Sequence, residues 1–185
     1  MVTTPIAGKE PEHGEIVRTL LEAGAVRFGE FTLTSGEKSD VYIDVKRAWS
    51  DPVRLDLLGR ALAGRVGNAD RLAGMELGAV PLVVATALRT GRPYVILRKA
   101  TREHGTRQPY EGDVPSGAHV LLIEDVSTTG GSSVRSVEIL RAAGGNVDRA
   151  LVVVDREAGA RERLAGIGVR LEPLVTMSEL RGARQ

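Results

Sequence analysis

Residues 119–140 read HVLLIEDVSTTGGSSVRSVEIL, and this stretch decides the fold. After His119, residues 120–123 are apolar without alternation, the pattern of a strand buried on both faces. Two acids follow, Glu124 and Asp125, then Val126 and a turn of small hydroxyl and glycine residues: Ser127, Thr128, Thr129, Gly130, Gly131 and Ser132. Over 132–143 the apolar residues return at helical spacing.

The same alternation of strand and helix extends in both directions. Downstream, strands are predicted at 150–155 and 169–175, with a short helix at 160–165 between them and a helical tail from Ser178. Upstream, Asp51-Pro52 is a capping residue followed by proline at the first helical position, opening a helix to about Val66. A strand at 71–75, an apolar helix at 80–89 closed by Gly91 and a strand at 93–98 come next. This order predicts an α/β fold, a central mainly parallel sheet flanked by helices. Before it, residues 15–23 read as a helix, and 26–45 as two short strands around a turn at 35–39. Residues 99–117 are polar, show no strong period and read as one long loop, a type that is usually functional or disordered in a compact domain.

Composition limits the alternatives. The 185 residues suffice for one domain, and 42 % hydrophobic with 26 % charged residues fits a globular chain. No cysteine is present, which excludes disulfides, thiolate metal sites and a cysteine nucleophile. The net charge of +1 argues against nucleic-acid binding by bulk positive charge. No apolar run reaches the ~18 residues of a membrane span. No basic start followed by an apolar block opens the chain, so a cytoplasmic location is expected. The basic residues are nearly all arginine; the only lysines are Lys9, Lys38, Lys46 and Lys99, and Lys99 stands out.

Ligands of parallel sheets bind at the carboxyl ends of strands, which directs attention to residues 74–78, 98 onward, 124 onward, and Asp155-Arg156. In the 127–132 turn, small residues let backbone N–H groups converge on an anion, and four hydroxyls add donors. A phosphate monoester fits. Glu124 and Asp125 would repel that phosphate, so they suit hydroxyl groups or a metal-bound water elsewhere on the ligand. A phosphorylated sugar meets both demands. Loop composition alone fits an ordinary Ser/Thr-rich helix cap equally well, and the acid pair makes that reading the weaker one. No G-x-x-x-x-G-K-[ST] and no G-x-G-x-x-G occurs.

Taken together, residues 119–132 resemble the phosphoribosyl-diphosphate (PRPP) binding motif of type I phosphoribosyltransferases, with Glu-Asp where that family usually has Asp-Asp. Three more segments resemble its orotate branch. GEFTLTSGEKSDVYID at 29–44 is similar to the branch's F-T-L-x-S-G segment, with Thr34 where Lys is common. RKATREHG at 98–105 resembles its catalytic loop R-K-x-x-K-x-H-G, with Arg102 in the place of a Lys. Asp155-Arg156-Glu157 resembles its D-R-x-E. GMELGAVP at 74–81 resembles the loop that backs the diphosphate. Without the family, the basic run would read as a solvated charge run and Arg156 as a surface side chain. The residues allow more: cations after a strand end suit a departing diphosphate, and a guanidinium matches a carboxylate.

The resemblance implies a single domain over 1–185: an N-terminal helix and hood over about 1–45, a PRPP-binding core over about 50–175, and a mobile catalytic loop over 98–117. It implies transfer of the phosphoribosyl group from PRPP to orotate, with Mg²⁺. Arg98, Lys99, Arg102 and His104 would neutralise the diphosphate, His104 also offering a proton. Glu124, Asp125, Val126 and residues 127–132 would hold PRPP. Arg156, Tyr42 and Thr128 would contact orotate. Lys99, Arg102, His104 and Asp125 are the catalytic candidates. No direct metal ligand is expected, Mg²⁺ being held through PRPP and water, with Glu124 or Asp125 assisting. A homodimer that shares the loop across its interface is implied, with no nucleic acid or membrane partner. Two rivals are a same-fold enzyme for another base and a non-catalytic PRPP sensor. The second would need a nucleic-acid-binding appendage, for which the segment before the hood is short.

Overall fold

The computed structural model describes residues 8–32, 38–99 and 108–184. Helix α1 (His13–Glu22) buries Ile16, Val17 and Leu20. Strands β1 (Val26–Thr32) and β2 (Lys38–Ile43) form an antiparallel pair separate from the main sheet. A one-turn helix α2 (Lys46–Trp49) precedes α3 (Pro52–Ala63), whose first N–H groups are met as expected: the Asp51 carboxylate accepts from Val53 at 2.9 Å and Arg54 at 3.1 Å.

The core then alternates: β3 (Arg71–Met75), α4 (Val80–Thr90), β4 (Tyr94–Leu97), β5 (Tyr110–Glu111), β6 (Val120–Ser127), α5 (Gly131–Ala142), β7 (Arg149–Asp155), α6 (Ala160–Ala165), β8 (Arg170–Thr176) and α7 (Met177–Gly182). The sheet order is β5-β4-β3-β6-β7-β8, parallel except for β5. The solid apolar strands have the predicted cause. Leu121, Ile123, Leu151 and Val153 face the core shared with α1, α3 and α4, whereas Leu122, Ala150 and Val152 face the core under α5 and α6.

Two expectations are corrected, and one element, α2, was not predicted. The 98–117 stretch is not one unstructured loop: β5 pairs antiparallel with β4 (Ile96 with Glu111, Leu97 with Tyr110), and the Arg98 N–H donates to the Pro109 carbonyl at 2.8 Å. A two-residue strand is too short to show a period. Helix α2, one turn long, escapes periodicity for the same reason. Strand β6 runs on through both acids to Ser127, held by pairing with β7 at Glu124, Val126 and Ser127.

Candidate active site

A cavity of about 320 Å³ opens at the carboxyl ends of the neighbouring strands β4, β3 and β6. Its wall takes Met75, Glu76, Leu77 and Gly78 from the turn after β3, and Lys99 from the end of β4. Glu124, Asp125 and Val126 come from β6, Ser132 from the first turn of α5, and Lys46 from α2. Parallel strands end on one edge, so these distant segments meet there.

The two acids line the same cavity but project to opposite faces of β6. Successive residues of a strand point to opposite faces. Glu124 turns beneath α5, against Ser133 and Ser136, and is 5 % exposed. Asp125 turns the other way, against Gly78; a Cβ there would overlap its carboxylate. Burial pushes the Glu124 carboxyl up to about 8. The Asp125 charge adds to that shift, and Lys99 with the two serine hydroxyls opposes it. Oε1 of Glu124 is buried with no hydrogen-bond partner among the described residues. Asp125 holds its own strand end, Oδ1 accepting from the Val126 N–H at 2.9 Å.

The turn after β6 leads directly into α5. Gly130 adopts φ of 76°, a left-handed conformation that a side chain would resist, and this swings the chain into α5. The first N–H groups of a helix lack intrahelical acceptors, so the amides of Gly131 and Ser132 that open α5 are left without one; with Thr128, Thr129 and Gly130 before them they make the candidate amide nest beside the acids. Ser127 does not join it. It is 2 % exposed, and its hydroxyl donates to Oδ1 of the buried Asp155 at 2.9 Å.

The cations are placed unevenly. The Lys99 N–H donates to Glu76 Oε1 at 2.9 Å, which fixes the entrance to the basic segment beside the cavity. Arg98 is turned away onto Glu111, its Nε at 3.0 Å. Arg102, His104 and Thr34 lie outside the described residues. Arg156 follows β7, the strand next to β6, and its Nη2 lies 3.4 Å from the Ser39 hydroxyl of the hood. Tyr42 sits on the exposed side of the hood, its ring 5.6 Å from that of Phe31, with the Arg27 guanidinium 5.0 Å from its centroid.

Glu76 and Lys46 were not singled out from the sequence. Lys46 pairs with Asp44 at 2.7 Å, and that hydrogen bond, with a smaller contribution from the Asp125 charge, holds its pKa above the ordinary lysine value. A signal was available: of only four lysines in an arginine-rich chain, two line this cavity.

A parallel sheet with an acid, an amide nest and a lysine at its carboxyl edge is the arrangement of a phosphoribosyltransferase. The phosphoribosyl transferase domain family matches residues 52–171. The orotate phosphoribosyltransferase of Natronomonas pharaonis is 51 % identical over 166 residues, covering 90 % of this chain and 95 % of the relative. The crystal structure of the Aeropyrum pernix orotate phosphoribosyltransferase superposes with a TM-score of 0.83 at 36 % identity, covering 91 % of this chain and 97 % of that one. That of Mycobacterium tuberculosis, in complex with PRPP, gives 0.76 at 30 % identity over 92 % and 99 %. The chain belongs to the orotate phosphoribosyltransferase family.

Proposed function

We propose that the protein is a glycosyltransferase that moves the 5-phosphoribosyl group of PRPP to orotate, giving orotidine 5′-monophosphate and diphosphate. The observation that carries this is that Asp125 and Ser132, the latter in the first turn of α5, line one cavity, with Arg156 at the next strand end beside Ser39. Gly130, Gly131, Thr128, Thr129 and Ser132 bind the 5′-phosphate through amides and hydroxyls. Asp125 accepts from the ribose hydroxyls, with Glu124 beneath the same strand end. As the C1–O bond to diphosphate breaks, positive charge grows on the ribose and negative charge on the leaving group. Lys99, with Arg102 and His104, stabilises the latter. Ser127 supports the site through Asp155 rather than by touching phosphate. Arg156 holds the orotate carboxylate, and the Tyr42 segment covers the base.

The residues present fit Mg²⁺. Glu76, Glu124 and Asp125 supply oxygen donors, while no three metal-ligating side chains cluster among the described residues. Such a wall suits an ion that keeps water and takes phosphate oxygens from PRPP, with Asp125 or Glu124 reaching it through water. Bound there, the ion would neutralise diphosphate charge.

The test is PRPP-dependent loss of orotate absorbance with Mg²⁺, run beside uracil, hypoxanthine and adenine. Turnover of orotate alone is expected, and Arg156→Lys, which loses the planar fork, should raise the orotate KM at least about tenfold. Turnover of another base would reassign the site. PRPP binding without turnover of any base would favour a sensor. A homodimer sharing the 98–117 loop across its interface is part of the same proposal. Mixing Asp125→Asn and Lys99→Ala chains should restore activity, and a verified heterodimer without recovery would place the loop in its own subunit's site.

A further inference from the structure

Arg156 stands in a turn that is held from several sides. Its N–H donates to the Ser127 carbonyl at 2.9 Å, and the next N–H, of Glu157, donates to the Asp155 carboxylate at 3.0 Å. Glu157 has φ of 55°, the left-handed region that a residue with a Cβ rarely occupies. Such backbone persists where its surroundings over-determine it. Here Oε2 of Glu157 accepts from both the N–H and the hydroxyl of Ser178, at 2.8 and 2.6 Å.

Ser178 is the second residue of α7. One turn later on the same helix, Arg181 forks onto the Asp40 carboxylate of β2 at 2.7 and 2.8 Å. Asp40 follows Ser39, the hood residue that Arg156 approaches. Just past the helix, the Arg184 guanidinium lies 4.9 Å from the centroid of the Phe28 ring on β1. One end of α7 therefore grips the turn that carries Arg156, and the other end grips the hood strand facing it.

Stability does not account for these ties. The Asp40 and Arg181 side chains are 69 % and 46 % exposed, and exposed ion pairs add little to folding. The hood packs on the core through Val26 and Val41 instead. It is nevertheless a two-stranded pair, a unit with little rigidity of its own. We propose that α7 is a spacer that sets the gap between Arg156 and β2, making Glu157 and Arg181 positioning residues for the acceptor base. This rests on Arg156 as the group that holds the base's carboxylate.

The test is the steady-state KM for orotate and for PRPP, with the melting temperature, in Glu157→Ala, Glu157→Gln, Arg181→Ala and the double alanine variant. Each single alanine variant should raise the orotate KM about five- to tenfold while leaving the PRPP KM unchanged, because only the acceptor side is misplaced. Glu157→Gln keeps an oxygen for Ser178 and should stay near the wild type. The double variant should be no worse than the worse single one, since releasing either end frees the spacer. An unmoved orotate KM would overturn the proposal. So would both KM values rising together with a lowered melting temperature, which marks a structural role. Orotate turnover with indifferent variants removes the spacer alone; wild-type protein that consumes PRPP only with another base removes the reading of Arg156, and the spacer with it.

Discussion

Glu124 offers a stability test that needs no substrate. Its carboxyl is 5 % exposed, and burial together with the Asp125 charge lifts it from the ordinary 4.5 to about 8. An unfolded chain releases this proton near pH 4.5, while the folded protein keeps it until about pH 8. Between those values the native state binds more protons, so this group's contribution to stability is full below pH 4.5 and falls as pH rises. The interval from 4.5 to about 8, at about 1.4 kcal/mol per pH unit, amounts to at most about 5 kcal/mol. Glu124→Gln keeps the shape of the protonated side chain and cannot ionise. Melting temperatures measured from pH 5 to pH 9 should therefore fall more steeply for the wild type than for the variant. At about 2–4 °C per kcal/mol for a chain of this size, the two curves should diverge by up to about 10–20 °C. Below pH 5 they should run close together. Parallel curves across the whole range would show that Glu124 ionises freely when folded, and the neutral buried carboxyl would have to be abandoned.

The remaining predictions bear on the cavity wall. Gly78→Ala drives a methyl into the Asp125 carboxylate, so kcat/KM for PRPP should drop about a hundredfold while circular dichroism stays that of the wild type; ordinary kinetics would show that the contact is not tight. Ser127→Ala takes a hydroxyl from the buried Asp155, and urea unfolding should register a loss of about 1–3 kcal/mol. Its KM for PRPP should hardly change, whereas a large rise would return Ser127 to the phosphate nest. Lys46→Ala should raise the PRPP KM several-fold, with the gap from the wild type narrowing as salt screens the charge; a salt-independent change would mean that Lys46 acts only through Asp44.

The sheet was legible because its strands are buried on both faces. Val-Leu-Leu-Ile and Leu-Val-Val-Val can hardly be anything else once the helices on both sides show their period. The strand-end rule then directed attention to Lys99, Asp125 and Arg156, and the structure sets all three at the carboxyl edge of the sheet. What stayed hidden was short or long-range. Elements α2 and β5 are too brief for a period to form. Ser127 belonged by composition to the nest, and only the neighbouring strand's Asp155 draws its hydroxyl away. The opposite facing of Glu124 and Asp125 follows from a period of two, but only once β6 is known to continue that far. Arg181 and Asp40 are joined by two hydrogen bonds across 141 positions of sequence, and no local pattern announces such a pair.

The charge on the cavity wall links these points. Among the described residues it carries three carboxyls, Glu76, Glu124 and Asp125, against two ammonium groups, Lys46 and Lys99. Fully ionised, that wall would be net negative and would repel the polyanion it is meant to bind. The proton that burial keeps on Glu124 removes one of those charges near neutral pH and leaves two acids against two lysines. A balanced wall still cannot hold a diphosphate by attraction alone. In the proposed pose the nest would give amide dipoles to the 5′-phosphate, and the diphosphate would lie at the other end of the sugar. In the proposed reaction that charge would be met by Mg²⁺ bound with PRPP and by the basic residues that follow Lys99. On the proposed reading, the near-neutral wall leaves stabilisation of the leaving group to Mg²⁺ and to the cations that follow Lys99 in the sequence.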